Sequence, residues 1–269
     1  MRPAAVAFDA VAASFDARFG EWQSVAAQRT AVRQVLVEVF PPKGKILEIG
    51  GGTGEDALWL ARRGFELLLT DAAPAMVKVA ASKLAPFDAR AEIVSAEDLD
   101  QFAHGHLAGG GRRFDGAFSN FACLNCVDDL PPVGRGLAKL LNPGSAALLV
   151  FFGNTAPGEI IVECLRGRVA QAFRRFRLGA VPAKLGGLNF MVRYHRANAI
   201  RSAMCPWFRL VRRVGIGIFV PPSAAEPWIS RHPRLLGLLD RLDRMGKRPF
   251  AFLGDHVLYH FERTDIAAP

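Results

Sequence analysis

Gly50, Gly52, Gly54 and Asp71 are the residues of this 269-residue chain whose types and spacing point most directly to chemistry. Glycines in a turn let the backbone approach a ligand where any Cβ would clash. An acid about 20 residues past the first glycine suits the hydroxyls of a ribose. A dinucleotide fingerprint begun at Gly50 would need glycine or alanine at position 55, and Glu55 stands there instead. Glu55 or Asp56 at a helix start disfavours a pyrophosphate and suits a ligand with a cationic centre and no phosphate. Later in the chain Tyr194 and His195 are adjacent, and His256 follows near the end. An imidazole is a candidate general base near neutral pH.

The elements that must position these residues are readable from apolar periodicity. Ile46–Ala80 reads as strand, glycine turn, helix, a second strand ending at Asp71, and a second helix: one β-α-β unit. A short strand spans 91–94. Arg113–Asn125 reads as a buried strand with small polar residues at its carboxyl end, where open parallel sheets bind ligands. Ser119, Asn120 and Phe121 are therefore expected to border the ligand. Helix 130–141 and strand 146–152 complete a fifth step. Upstream, Phe8, Val11, Phe15 and Phe19 fall at helical spacing over 7–19, and a second helix covers 23–40.

At Glu48-Ile-Gly50-Gly51-Gly52-Thr-Gly54 the chain resembles the class I S-adenosylmethionine-dependent methyltransferases, whose first motif is acid-x-Gly-x-Gly-x-Gly. The resemblance covers Phe8 to about Phe152. It implies that the Gly50–Gly54 turn holds the methionine part of S-adenosylmethionine. It further implies that Asp71 accepts from both ribose hydroxyls, with Ala72 and Met76 along the ribose and adenine. At the third motif, Ser95-Ala96-Glu97, Ser95 replaces the usual Asp, so Ser95 or Glu97 is left to hold the adenine. Phe15-Asp16 stands where relatives carry Tyr-Asp over the cofactor. Arg29 matches an arginine that pairs with the methionine carboxylate in small-molecule members. The implied fold is α/β: a Rossmann-like sheet of seven strands, mostly parallel with the last antiparallel, plus helical cap insertions. The core with its N-terminal helices would occupy 1–153, and the end of the sheet 154–269, with insertions near 154–190 and 221–254.

Composition adds bounds. Residues 1–150 carry 15 Lys and Arg against 17 Asp and Glu; residues 151–250 carry 18 against 5, a net +13. Such asymmetry suggests an acidic partner for the second half. No apolar run approaches the roughly 18–20 residues of a membrane span. Asp9 and Asp16 interrupt the alanine-rich start, which argues against a signal peptide and for a cytoplasmic protein. Cys123 and Cys126 form a single CxxC with no second pair, so no metal site is expected and packing near the sheet edge is. In the second half, a helix is expected over 159–177 with a weak point at Gly167, a loop over 180–188, and an extended segment over 189–194. A helix over 197–204, strand six over 207–220, a helix over 234–245 and strand seven over 255–262 follow.

The leading expectation is a small-molecule methyltransferase for a hydrophobic acceptor, with or without an acid group. Its cap aromatics (Phe173, Phe176, Phe190, Trp207, Phe208, Trp228) would enclose the substrate, with Tyr194 and His195 at the chemistry. The alternatives are an RNA methyltransferase using the basic half on phosphates, and a non-catalytic cofactor-binding protein at a membrane surface. The acceptor atom and the oligomeric state are not legible.

Overall fold

The computed structural model describes residues 1–268 apart from 178, 247 and 248. The chain begins with helices α1 (Pro3–Asp9), α2 (Ala12–Phe19) and α3 (Gln23–Val39). Strand and helix then alternate: β1 (Lys45–Ile49), α4 (Glu55–Ala61), β2 (Glu66–Asp71), α5 (Pro74–Leu84), β3 (Ala89–Ile93), α6 (Leu99–Ala108), β4 (Phe114–Ser119), α7 (Pro131–Leu140) and β5 (Leu141–Phe152). Proline at the start of α5 and α7 costs no hydrogen bond, because the first turn of a helix has free N–H groups. Beyond β5 come α8 (Pro157–Leu165), α9 (Val169–Ala172), β6 (Ala180–Leu185), β7 (Leu188–Arg193), α10 (Ala197–Met204), β8 (Phe208–Ile216), α11 (Pro233–Gly246) and β9 (His256–Arg263).

Seven strands form one sheet in the order β3-β2-β1-β4-β5-β9-β8. Strands β1 to β5 pair in parallel, and β9 runs antiparallel between β5 and β8. Both faces are apolar, as a sheet covered on two sides requires. Leu47, Leu149, Phe151 and Phe261 pack towards α6, α7 and α10, while Ile46, Leu69, Phe118 and Leu148 pack towards α3, α4 and α5. The strand order reverses between β1 and β4. That is the switch point where the carboxyl ends of parallel strands diverge and leave a crevice.

Three expectations need revision. The single helix over 7–19 is broken into α1 and α2, because its two halves have different partners: Phe8 lies 5.8 Å from Phe190, and Phe15 packs with Ala12 and Met76. The helix over 159–177 breaks at Gly167, which has φ +70, into α8, α9 and a 3₁₀ turn. The expected loop at 180–188 is a hairpin, β6 paired with β7. Its two-residue turn is Gly186-Gly187, with φ of +57 and +86, the conformation that a tight hairpin demands and glycine supplies. The first insertion is thus helical and β together.

Candidate functional site

Two backbone hydrogen bonds tie the turn after β1 to the end of β2: Gly50 and Gly51 N–H donate to Thr70 O at 2.7 and 3.1 Å. The next link is to the acid. Gly52 N–H and Ala73 N–H each donate to the Asp71 carboxylate at 2.9 Å. Burial raises the Asp71 pKa, and these N–H groups oppose the rise. A Cβ on Gly50 would lie 1.9 Å from Cys123 Sγ, so this glycine is required by packing. A Cβ on Gly52 would meet nothing within 4 Å. Gly52 borders a cavity of about 390 Å³ at the switch point.

The cavity gathers most of the residues singled out in the sequence. Glu48, Gly50, Gly51 and Gly52 form its floor with Asp71, Ala72 and Met76. Ser95, Ala96 and Glu97 line one end, and Asn120, Phe121, Phe15 and Arg29 line the other walls. Ser95 Oγ donates to Glu97, so the two candidates for the adenine act as a pair. Gly54 is set back from the lining: with φ +81, its added Cβ would lie 3.0 Å from Ala80 Cβ, which makes it a packing residue between α4 and α5.

The acids at the start of α4 are already paired with cations of the chain itself. Asp56 accepts from Arg29 at 2.8 Å, Arg33 at 2.6 Å and Asn120 at 2.8 Å. Glu55 accepts from Lys83 at 2.5 Å; Lys83 also reaches Asp16 at 2.6 Å, and Asp16 accepts from Thr53 at 2.6 Å. This chain of contacts latches α2 onto the glycine turn. The cavity acid with an unpartnered oxygen is Glu48. It is buried, its Oε2 has no hydrogen-bond partner among the described residues, and burial, then the Asp56 charge, push its pKa well up. The Arg29 and Arg33 charges and the Ala57 N–H favour its ionised form and oppose that rise. The Arg29 guanidinium lies 4.5 Å from the centre of the Phe121 ring.

Tyr194 and His195 lie outside the cavity lining. His195 is buried with Nε2 3.0 Å from Val127 O and its ring edge-on to Phe151; burial lowers its pKa. Tyr194 packs against Phe152 and lies within 5.7 Å of the Arg175 guanidinium. None of the six cap aromatics lines the cavity either; Phe121, Phe152 and Trp22 do. Cys123 and Cys126 also face it rather than the sheet edge, and burial pushes both thiols up, Cys126 to about 12. Thiols so held are poor nucleophiles at neutral pH.

The cavity also holds His256, and beside it Asp255, which the sequence did not single out. His256 lines the cavity with Nδ1 3.3 Å from Asp255 Oδ2, its ring tilted over Phe152 at 5.0 Å and edge-on to Phe121 at 6.0 Å. Asp255 is fixed in turn by Arg175 at 2.5 Å and by Gln28 at 3.3 Å. Burial raises its pKa, but the Arg175 and His256 charges outweigh this and hold the carboxyl well below the usual range. Arg175 also bonds Glu159 and the carbonyls of Gly153 and Asp255. A readable signal existed. An antiparallel last strand starts at the carboxyl end of its parallel neighbour, so His256 pairs with Phe152 at the ligand end of β5.

These residues fit S-adenosylmethionine. The open side of Gly52 is a cradle that a Cβ would fill, the orphan Glu48 oxygen suits a cation, and Asp71 suits a diol. A search of curated proteins found no match. Solved structures share the fold at low identity. An S-adenosylmethionine-dependent methyltransferase from Methanosarcina mazei has 16% identity and TM-score 0.55, covering 86% of this chain and 97% of that one. The CcbJ methyltransferase from Streptomyces caelestis has 15% identity and TM-score 0.54, covering 88% and 89%. Geranyl diphosphate C-methyltransferase from Streptomyces coelicolor, solved with S-adenosyl-L-homocysteine, has 13% identity and TM-score 0.51, covering 87% and 79%. The methyltransferase-domain family model matches residues 21–203. With that match and this cavity, the chain belongs to the methyltransferase-domain family and is an S-adenosylmethionine-dependent methyltransferase.

Proposed function

We propose that the enzyme methylates a small, apolar molecule and that His256, held by Asp255, takes the acceptor's proton. The observation that carries the reading is the Asp255–His256 pair inside the cavity between Phe121 and Phe152. With Nδ1 turned to Asp255, Nε2 is the nitrogen left for an acceptor. Bound S-adenosylmethionine supplies an electrophilic methyl on a sulfonium. Gly52, Asp71 and Glu48 hold that cofactor in this reading, while Phe121, Phe152 and Trp22 exclude water and orient the acceptor. Alignment of this kind supplies much of the acceleration in a displacement.

Charge supports an uncharged acceptor over an anionic one. The lining holds seven carboxylates (Glu48, Glu55, Asp56, Asp71, Glu97, Glu159, Asp255) against four arginines (Arg2, Arg29, Arg174, Arg175). Arg174 and Arg175 are both paired with Glu159, and Arg175 with Asp255 as well, which offsets most of their charge. Arg174 Nε is the donor left without a partner among the described residues. The test is transfer of labelled methyl from S-adenosylmethionine into host extract fractionated into small molecules, lipids, RNA and protein. Label in an organic-soluble small molecule is expected; label in RNA alone overturns the acceptor class. With the acceptor in hand, His256→Gln should lower kcat by about 10²–10⁴-fold and abolish the low-pH limb of the rate profile. Cofactor affinity should be unchanged. A variant with wild-type kcat removes the base assignment.

A further inference from the structure

Residues 151–250 carry 18 Lys and Arg against 5 Asp and Glu. Four of those acids, Glu159, Glu163, Glu226 and Asp243, are buried, and the fifth, Asp240, is paired with Arg244. Glu163 pairs with Arg166 and Arg168, and Arg193, Arg209 and Arg212 pair with acids outside this half. Even so, 18 cations against 5 acids leave a cationic excess on its outside. Apolar side chains are set into it. On the α8–α9 segment Leu165 is 84% exposed, and Phe173 and Phe176, rings 6.2 Å apart, are half exposed. On α11 Leu235, Leu238, Leu242 and Met245 form an exposed stripe, Met245 at 79%, while Leu236 turns inward. Exposed Arg166 and Arg168 flank the first group, and exposed Arg234 and Arg241 the second. Val162 of α8 and Leu239 of α11 pack on one small core of Val220, Ala225, Ile229 and Leu236, so both elements flank it. The same segment after β5 carries Glu159, Arg174 and Arg175 into the cavity wall, so its inner side lines the cavity.

We propose that this face docks on an anionic lipid bilayer. Helices with an apolar stripe between basic residues lie in the plane of the interface, apolar side down. Arginines beside that stripe are attracted to the negative surface potential of the leaflet. A second copy of the chain is the poorer occupant, because it would set two cationic surfaces against each other. RNA would satisfy the arginines and leave the leucines, Met245 and the paired phenylalanines in water. The assignment is independent of the acceptor.

The test is sedimentation of the full chain with vesicles of phosphatidylcholine plus phosphatidylglycerol, against phosphatidylcholine alone. Binding to the mixed vesicles only is expected, weakening as salt rises. Two variants should each bind about tenfold more weakly while retaining S-adenosylmethionine binding, which reports their fold: Leu165→Gln with Phe173→Ser, and Arg234→Gln with Arg241→Gln. Cys164 is exposed on α8 beside Leu165, so an environment-sensitive dye there, in a Cys205→Ser background, should shift to the blue on mixed vesicles. Absence of sedimentation, or full binding by the apolar variant, overturns the proposal. So does a dimer in light scattering that Leu238→Gln dissociates, or tRNA binding that outcompetes the vesicles and ignores the apolar variant.

Discussion

Glu48 is buried in the sheet with one carboxylate oxygen unpartnered, and the cost of that arrangement depends on pH. Burial first, and Asp56 second, raise its folded-state pKa. Folding therefore takes up a proton above the unfolded value of about 4.3. The associated stability is complete below that value and is lost as pH rises through the folded pKa. Each tenfold difference in proton affinity is worth about 1.4 kcal/mol. Glu48→Gln should raise Tm at neutral pH, with the gain vanishing below about pH 4, and should weaken S-adenosylmethionine binding. A gain that is constant across a pH series of melts would show that ionisation is not its source. The glycines give a second contrast. Gly50→Ala drives a Cβ into Cys123 Sγ and should fail to fold, whereas Gly52→Ala has open space ahead of it. At φ +55 it should cost about 1–2 kcal/mol in stability while losing cofactor affinity, because its methyl occupies the cradle. Asp71→Ala should weaken cofactor binding by about 1–3 kcal/mol in calorimetry. Unchanged affinity would remove the ribose assignment.

Elements joined by one side chain decide how firmly the region after β5 is held. Arg175, on the 3₁₀ turn after α9, ties Glu159 of α8 to Asp255 at the start of β9. Removing it leaves Glu159 with Arg174 alone, and buried Asp255 with only His256 and Gln28. Arg175→Met should therefore cost about 3–5 kcal/mol in a denaturant titration. A cost under about 1 kcal/mol would place these acids in water. The network also explains what sequence could and could not reveal. The glycine turn, Asp71 and the strand at 114–119 were legible because one β-α-β unit and its neighbours are local patterns. Asp255 and Arg175 lie 80 positions apart, and nothing in either neighbourhood names the other. Tyr194-His195 looked chemical as an adjacent pair, yet the chain leaving β7 directs His195 into the core beneath Val127. The hairpin at 180–193 had a local signal, the Gly186-Gly187 pair, which its Pro182 and short strands obscured.

At the scale of the whole molecule, both faces of the sheet draw residues from either side of position 153. Leu149 shares a core with Val257 and Phe261, and Leu148 shares one with Val214 and Leu258. The cavity likewise takes Phe15 from α2, Glu48 from β1, Phe121 after β4 and His256 from β9. A ligand there touches residues from both halves of the chain. Calorimetry should therefore give one unfolding transition, although the charge of the chain divides sharply between its halves. S-adenosylmethionine at 100 times its Kd should stabilise that single transition by about 2.7 kcal/mol. For a domain of this size, that moves Tm by roughly 5–10 °C. Two transitions, only one of them moved by the cofactor, would mean that the segment beyond β5 unfolds by itself. The Arg175 network would then be a local fastening, and cofactor binding would be the work of residues 1–153 alone.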